Sequence, residues 1–145
     1  MFKHILLPID DDPGSRHAID IGVALAQRIG AHITGFHAMT EFNHAGIVEE
    51  LLEPPSGELE VLARTHADKL FAPLRRAATH AGVQCKMIAV RSERPHEAIV
   101  EAGRTERCDL IVMASHGRHG LAKLVLGSQT QQVLNHADVS VLVVR

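Results

Sequence analysis

The chain has 145 residues, 46% hydrophobic and 22% charged, with a formal net charge of −2 at pH 7. That predicts one domain over residues 1–145 with a real core, and it excludes electrostatic capture of nucleic acid or of an acidic membrane. With no Trp, no Tyr and four Phe, base-stacking platforms are missing too.

In chain order, His4 to Ile9 is a short run of buried-strand type that stops at Asp10-Asp11-Asp12-Pro13-Gly14. Asp12 reads as a helix N-cap, with Pro13 in the first helical position. Ala18, Ile21, Leu25 and Ile29 recur at helical spacing, and Gly30 ends that helix. Ile33 to Met39 is a second strand. Thr40 to Gly57 is irregular, because Pro54-Pro55 forbids helix there, with room for a short helix around Ile47 to Leu52. Leu59, Leu62, His66, Leu70, Leu74 and Ala77 share a face of a long second helix, which Pro73 should kink or split. Val83 to Val90 is a third strand. Pro95 begins a third helix, with Ala98, Ile99 and Ala102 apolar. Leu110 to Ala114 is the fourth strand, Ser128 to Asn135 the last helix and Val139 to Val144 the last strand.

Strands alternate with helices from end to end, which predicts an α/β fold with a parallel sheet and right-handed crossovers. Runs such as Leu110-Ile111-Val112-Met113 fit burial on both faces. Ligands of such sheets bind beyond the carboxyl ends of the strands, where the strand order reverses. If strands one and four are neighbours, Asp10 and Ala114 border one crevice. No segment reaches membrane-span length, and the N-terminal apolar run is too short for a signal peptide. Cys85 and Cys108, with no C-x-x-C, read as buried free thiols in a reducing compartment, and the cytoplasm is expected.

The chemistry concentrates after the fourth strand. A small polar loop, Ser115-His116-Gly117-Arg118, is followed by Gly127-Ser128, with nine residues between Gly117 and Gly127. Glycines let a backbone approach an anion, and a helix N-terminus turns free N–H groups toward it. Loop amides and the Arg118 guanidinium could hold phosphates; the plain alternative is a polar turn. Ser128 could cap its helix with or without a ligand. Asp10 could accept from ribose hydroxyls or serve as a strand-end turn residue. Asp10 and Asp12 also form a D-x-D pair, as in phosphatases with an aspartate nucleophile. His116 has no identifiable nucleophile or orienting partner, so a local hydrogen bond fits it better than catalysis. The eleven histidines, including His32 with His37 and His116 with His119, form no H-E-x-x-H or Cys/His zinc pattern.

Ile5-Leu6-Leu7-Pro8-Ile9-Asp10, Cys108 through Gly117, Gly127-Ser128 and the ending Val133-Leu134-Asn135-His136-Ala137 with Val139 to Val144 together resemble the universal stress proteins, over essentially the whole chain. The resemblance implies a flavodoxin-like, Rossmann-like doubly wound five-stranded parallel sheet, strand order 3-2-1-4-5. It also implies a homodimer, often through the last strand. The nucleotide-binding branch of the family carries G-x2-G-x9-G-S/T. Gly117, Gly127 and Ser128 match it, while Ala114 stands at the first glycine. Where that position needs positive φ, alanine costs about 1–2 kcal/mol; where it is extended, alanine adds only a methyl group.

The resemblance places Pro8, Ile9, Asp10 and Ala38 on the adenosine side of ATP or a related adenine nucleotide, with or without Mg2+. It places Met113, Ala114, Ser115, His116, Gly117, Arg118, Gly127, Ser128 and Gln129 on the phosphate side. Glu93 and Arg94 stand before Pro95 where the family often has a glycine. The expected function is nucleotide binding in stress response, without a metal site or a catalytic residue. The alternatives are a dimeric module that acts through protein partners and a weak nucleotide hydrolase using His116 or the Asp10/Asp12 pair.

Overall fold

The computed structural model describes residues 1–40, 56–115 and 126–145. The elements are β1 (His4–Pro8), α1 (Pro13–Ile29), β2 (His32–Met39), α2 (Ser56–Ala81), β3 (Cys85–Arg91), α3 (Pro95–Thr105), β4 (Leu110–Ala114), α4 (Ser128–His136) and β5 (Ser140–Val144). Every strand pair is parallel and the order is β3-β2-β1-β4-β5. This is the expected doubly wound Rossmann-like sheet. The order reverses between β1 and β4, whose register pairs Ile5 with Leu110 and Leu6 with Ile111.

Side chains alternate between two cores, one on each face. Ile5, Leu7 and Val112 pack with Ala18, Ile19 and Val23 of α1 and with Ala67, Phe71 and Leu74 of α2. Leu6, Phe36, Ile111 and Met113 pack on the other face with Ile99 of α3 and Val133 of α4. Burial on both faces explains why these strands read as unbroken apolar runs.

On two helices the most buried stripe lies beside the large apolar residues, of which Leu25, Ile29 and Leu70 pack against the flank of the core. On α1 the buried residues are Ser15, Ala18, Ile19, Gly22, Val23 and Ala26, while Ile21 is exposed. The small residues let α1 lie close to the sheet: a Cβ on Gly22 would stand 2.3 Å from Leu7 Cδ1. On α2 the buried side chains are Ala63, Ala67, Phe71, Leu74 and Ala78; His66, Leu70 and Ala77 are half-buried beside them. Pro73 does not split α2, which runs through it as one helix. Proline removes one backbone donor, and packing along the rest of the helix outweighs that loss.

Asp12 caps α1 as expected: its carboxylate accepts from Gly14 N at 2.7 Å, with Pro13 following. Gly30 closes the helix in the left-handed region at φ 70°, where a side chain would be strained. β3 begins at Cys85, two residues after the expected start. Both cysteines are free; Cys108 is buried and Cys85 only half-buried. Burial pushes the Cys108 thiol up to about 12 and the Cys85 thiol up to about 11, which makes them poor nucleophiles. The expected short helix at Ile47 to Leu52 lies outside the described residues.

Candidate site at the carboxyl ends of β1 and β4

The turn after β1 is held by its own carboxylates. Asp10 Oδ1 accepts from Ser15 Oγ at 2.7 Å and from Asp12 N at 2.9 Å. Ser15 Oγ in turn accepts from Asp10 N at 3.1 Å. These bonds orient the Asp10 carboxylate at the rim, where the residue is exposed. Asp12 is committed to capping α1, so the D-x-D pair presents one carboxylate to the crevice and uses the other in the fold. Asp11 leans the opposite way: its Oδ1 lies 3.1 Å from His66 Nε2 on α2. That contact is a close approach without hydrogen-bond alignment. His37 Nδ1, buried behind the turn, donates to Ile9 O at 2.8 Å. Burial lowers the pKa of His37, so it supports the turn as a neutral ring.

The end of β4 is tied to α4. Ser115 N donates to Val144 O at 2.8 Å, and Ser115 O accepts from Gly127 N at 2.7 Å. Thr130 Oγ1 donates to Ala114 O at 2.9 Å. Gly127 is the N-cap of α4, at φ −58° and ψ 147°, and brings no side chain to the helix end. Ser128 is therefore the first helical residue, and the expectation that its hydroxyl caps the helix is not met. Glycine is not needed at position 127 for its backbone angles, because any residue can adopt that φ.

Ala114 is an ordinary strand residue. Among described non-glycine residues only Arg107 has positive φ. The alanine in the first glycine position thus adds a methyl group with no backbone strain. That methyl packs into the α1 side of the sheet, against Gly14.

Of the residues singled out in the sequence, Pro8 ends β1, with Ile9 and Asp10 following it, and Ala38 is the penultimate residue of its neighbour β2. Met113, Ala114 and Ser115 end β4, with Gly127, Ser128 and Gln129 opening α4 across from them. Ile9, Met113 and Ser115 are buried at 4%, 6% and 3% exposure, so their side chains form walls and supports. His116, Gly117 and Arg118 lie outside the described residues. The Gln129 side chain is engaged elsewhere: its Oε1 accepts from His96 N at 3.0 Å and lies 3.2 Å from His96 Nδ1 on α3.

Sequence reasoning missed Gly14, Ser15, His96 and Thr130. Ser15 and Thr130 could have been noticed as buried hydroxyls in the first turns of α1 and α4. Gly14 and His96 carried no such signal. Among the described residues no group of three or more His, Cys, Asp or Glu is placed to hold a metal ion. No described helix is long and apolar enough to cross a membrane.

The family model for the Universal stress protein family matches residues 1–145. The universal stress protein in the QAH/OAS sulfhydrylase 3′ region of Thermus aquaticus is 34% identical, with all of both chains covered. Universal stress protein A homolog 1 of Coxiella burnetii is 31% identical over 99% of this chain and 96% of its own length. Among solved structures, protein MJ0577 of Methanocaldococcus jannaschii superposes at a TM-score of 0.81 with 27% identity, over 99% of this chain and 96% of that one. More distant structures share the fold. A universal stress protein in complex with cAMP has a TM-score of 0.71 at 19% identity, covering 99% of this chain and 97% of its own. A family protein of Arabidopsis thaliana with AMP bound has a TM-score of 0.68 at 13% identity, covering 98% and 90%.

Proposed function

This chain belongs to the universal stress protein family, and from that premise we propose that it binds an adenine nucleotide at the carboxyl ends of β1 and β4. The observation that carries the reading is the first turn of α4. The first turn of α1 is capped by Asp12, and that of α3 receives Gln129. On α4, Gly127 supplies no side-chain cap. First-turn N–H groups that receive no side-chain cap from their own N-cap residue, at the reversal point of a doubly wound sheet, suit an anion, with the helix dipole adding to the attraction.

In this reading Asp10 accepts from the ribose, with Pro8, Ile9 and Ala38 beside the adenosine. The backbone at Met113 to Arg118, together with Gly127, Ser128 and Gln129, receives the phosphates. The extended backbone of Ala114 supports it, because the departure from glycine brings no strain. The nucleotide-bound relatives support the ligand class. ATP, with or without Mg2+, is the form we favour. Binding without turnover fits a site whose second carboxylate, Asp12, is spent on a helix cap. We further infer one domain over residues 1–145, a cytoplasmic location, and a homodimer formed through β5.

The direct test is to denature the purified protein and identify released nucleotide by mass, then to follow thermal unfolding with added ATP, ATP with Mg2+, or AMP. A ligand at about 100 times its dissociation constant stabilises by roughly 2.7 kcal/mol. A clear upward shift is expected. An unchanged midpoint at millimolar nucleotide, with none co-purified, would remove the reading in favour of a module acting through protein partners. Sustained phosphate release would favour a hydrolase.

A further inference from the structure

The end of α4 that would receive phosphate is held by ties to two neighbouring elements. Two ties run to β4 and its continuation: Thr130 Oγ1 to Ala114 O at 2.9 Å, and Gly127 N to Ser115 O at 2.7 Å. Both of these ties run to one strand, and Val133 packs the helix into the core shared with Ile99 of α3. The third tie runs to a different element. Gln129 Oε1 accepts from the backbone N of His96 at 3.0 Å and faces His96 Nδ1 at 3.2 Å. The backbone N–H can only donate, so the Gln129 atom facing it is the oxygen, and the ring nitrogen beside it carries a proton.

The arrangement serves both helices. His96 follows Pro95 at the start of α3, so its N–H is one of the donors that α3 itself cannot satisfy. The side chain of the N-cap residue Arg94 pairs with Glu97 and caps no backbone N–H, and Gln129 takes that role from α4. The Gln129 side chain is thereby turned toward α3, while its backbone N–H stays among the first-turn donors of α4.

We propose that His96 and Gln129 form a clip between α3 and α4 that sets the angle of the phosphate-receiving turn, making both positioning residues for the phosphate end of the nucleotide. The inference rests on the nucleotide reading above. It adds that affinity for phosphate, and not for the nucleoside, depends on a contact made on α3.

The test compares ATP and adenosine by titration calorimetry on the full chain and on the variants Gln129→Leu, His96→Ala and His96→Asn, with stability followed by urea unfolding. Gln129→Leu removes both bonds and is expected to weaken ATP about tenfold while changing adenosine less than about twofold. His96→Ala keeps the backbone donor and should lose less. His96→Asn, whose Nδ2 can replace ring Nδ1, should recover wild-type ATP affinity; no purely structural role predicts that rescue together with unchanged adenosine binding. Unchanged ATP affinity in Gln129→Leu, or equal loss for ATP and adenosine, would overturn the clip while leaving the nucleotide site in place. Should Gln129→Leu not fold, the two His96 variants decide the same question: loss of ATP affinity in His96→Ala with recovery in His96→Asn supports the clip, and wild-type affinity in both overturns it. A wild-type chain that binds no nucleotide overturns both proposals.

Discussion

The methyl group of Ala114 closes over Gly14, so that a Cβ built on Gly14 would stand 3.2 Å from it and 2.9 Å from Asp12 Oδ1. The alanine that departs from the family's glycine therefore packs against a helix residue that has no side chain to oppose it. Gly14→Ala should destabilise by about 1–2 kcal/mol, because the new methyl crowds both Ala114 and the capping carboxylate. Ala114→Gly should cost about 1 kcal/mol through lost packing and a freer strand. The double variant should lose less than the sum, since one crowding contact disappears. Urea unfolding of the four proteins closes the cycle. In calorimetry, Ala114→Gly should bind nucleotide as tightly as wild type or more tightly; weaker binding would show that the methyl also serves the ligand.

Asp12→Ala removes the acceptor for Gly14 N. A loss of about 0.5–2 kcal/mol in unfolding free energy is expected, the usual effect of deleting an N-cap. Asp12→Asn should retain most of the stability, which a catalytic role for Asp12 would not require.

Gly127→Val should abolish nucleotide binding and leave the fold standing. The backbone at φ −58° and ψ 147° accepts a branched residue. The side chain would occupy the space in front of the first turn of α4. Unchanged circular dichroism with no thermal shift by ATP is the expected pair of results. Undiminished affinity would place the phosphates elsewhere.

The pH dependence follows from two buried histidines. His37, at 2% exposure, is lowered in pKa chiefly by burial. His4 is lowered by burial and by the neighbouring His32, whose ring lies 3.9 Å from its own. A lowered native pKa means that the unfolded chain takes up protons first as pH falls. The stabilisation is present in full above about pH 6.5, the ordinary histidine value, and is lost as pH drops below it. The urea midpoint should fall between about pH 7.5 and about pH 5. His37→Asn should be less stable at the upper pH and show a shallower slope. A midpoint that rises on acidification would contradict the assignment.

β5 pairs with β4 on one side and stands at the sheet edge on the other. Leu142 on this strand is 38% exposed. An apolar edge strand invites pairing with another chain, and a two-fold axis would set it against its own copy. Leu142→Lys would place like charges across that axis, and light scattering should report a monomer or an insoluble protein. A soluble dimer of unchanged stability would exclude this strand as the interface.

The alternation of apolar periods by itself determined the order of elements. Leu110 to Ala114 came out with its observed bounds, because a strand buried on both faces is apolar at every position. The Asp12–Pro13 start of α1 was equally legible, since capping is a local interaction between neighbours in sequence. Asp10 and the Gly127-Ser128 corner could be located for the same reason, each lying at the end of a readable element.

Tertiary structure decided what depends on the partner. The centres of the buried stripes of α1 and α2 were offset from the expected ones because small residues such as Gly22, Ala63 and Ala67 mark closest approach, and hydrophobic periodicity gives most weight to large side chains. The N-cap position fell to Gly127, whose N–H is tied to Ser115 O just past the end of β4, so that Ser128 became the first helical residue. The accommodation of Ala114 depends on Gly14, far away in sequence. The grip of Gln129 on His96 joins two helices that only the folded sheet brings together. A sequence encodes local conformational preference directly, whereas the fit of one surface to another exists only once both surfaces have formed.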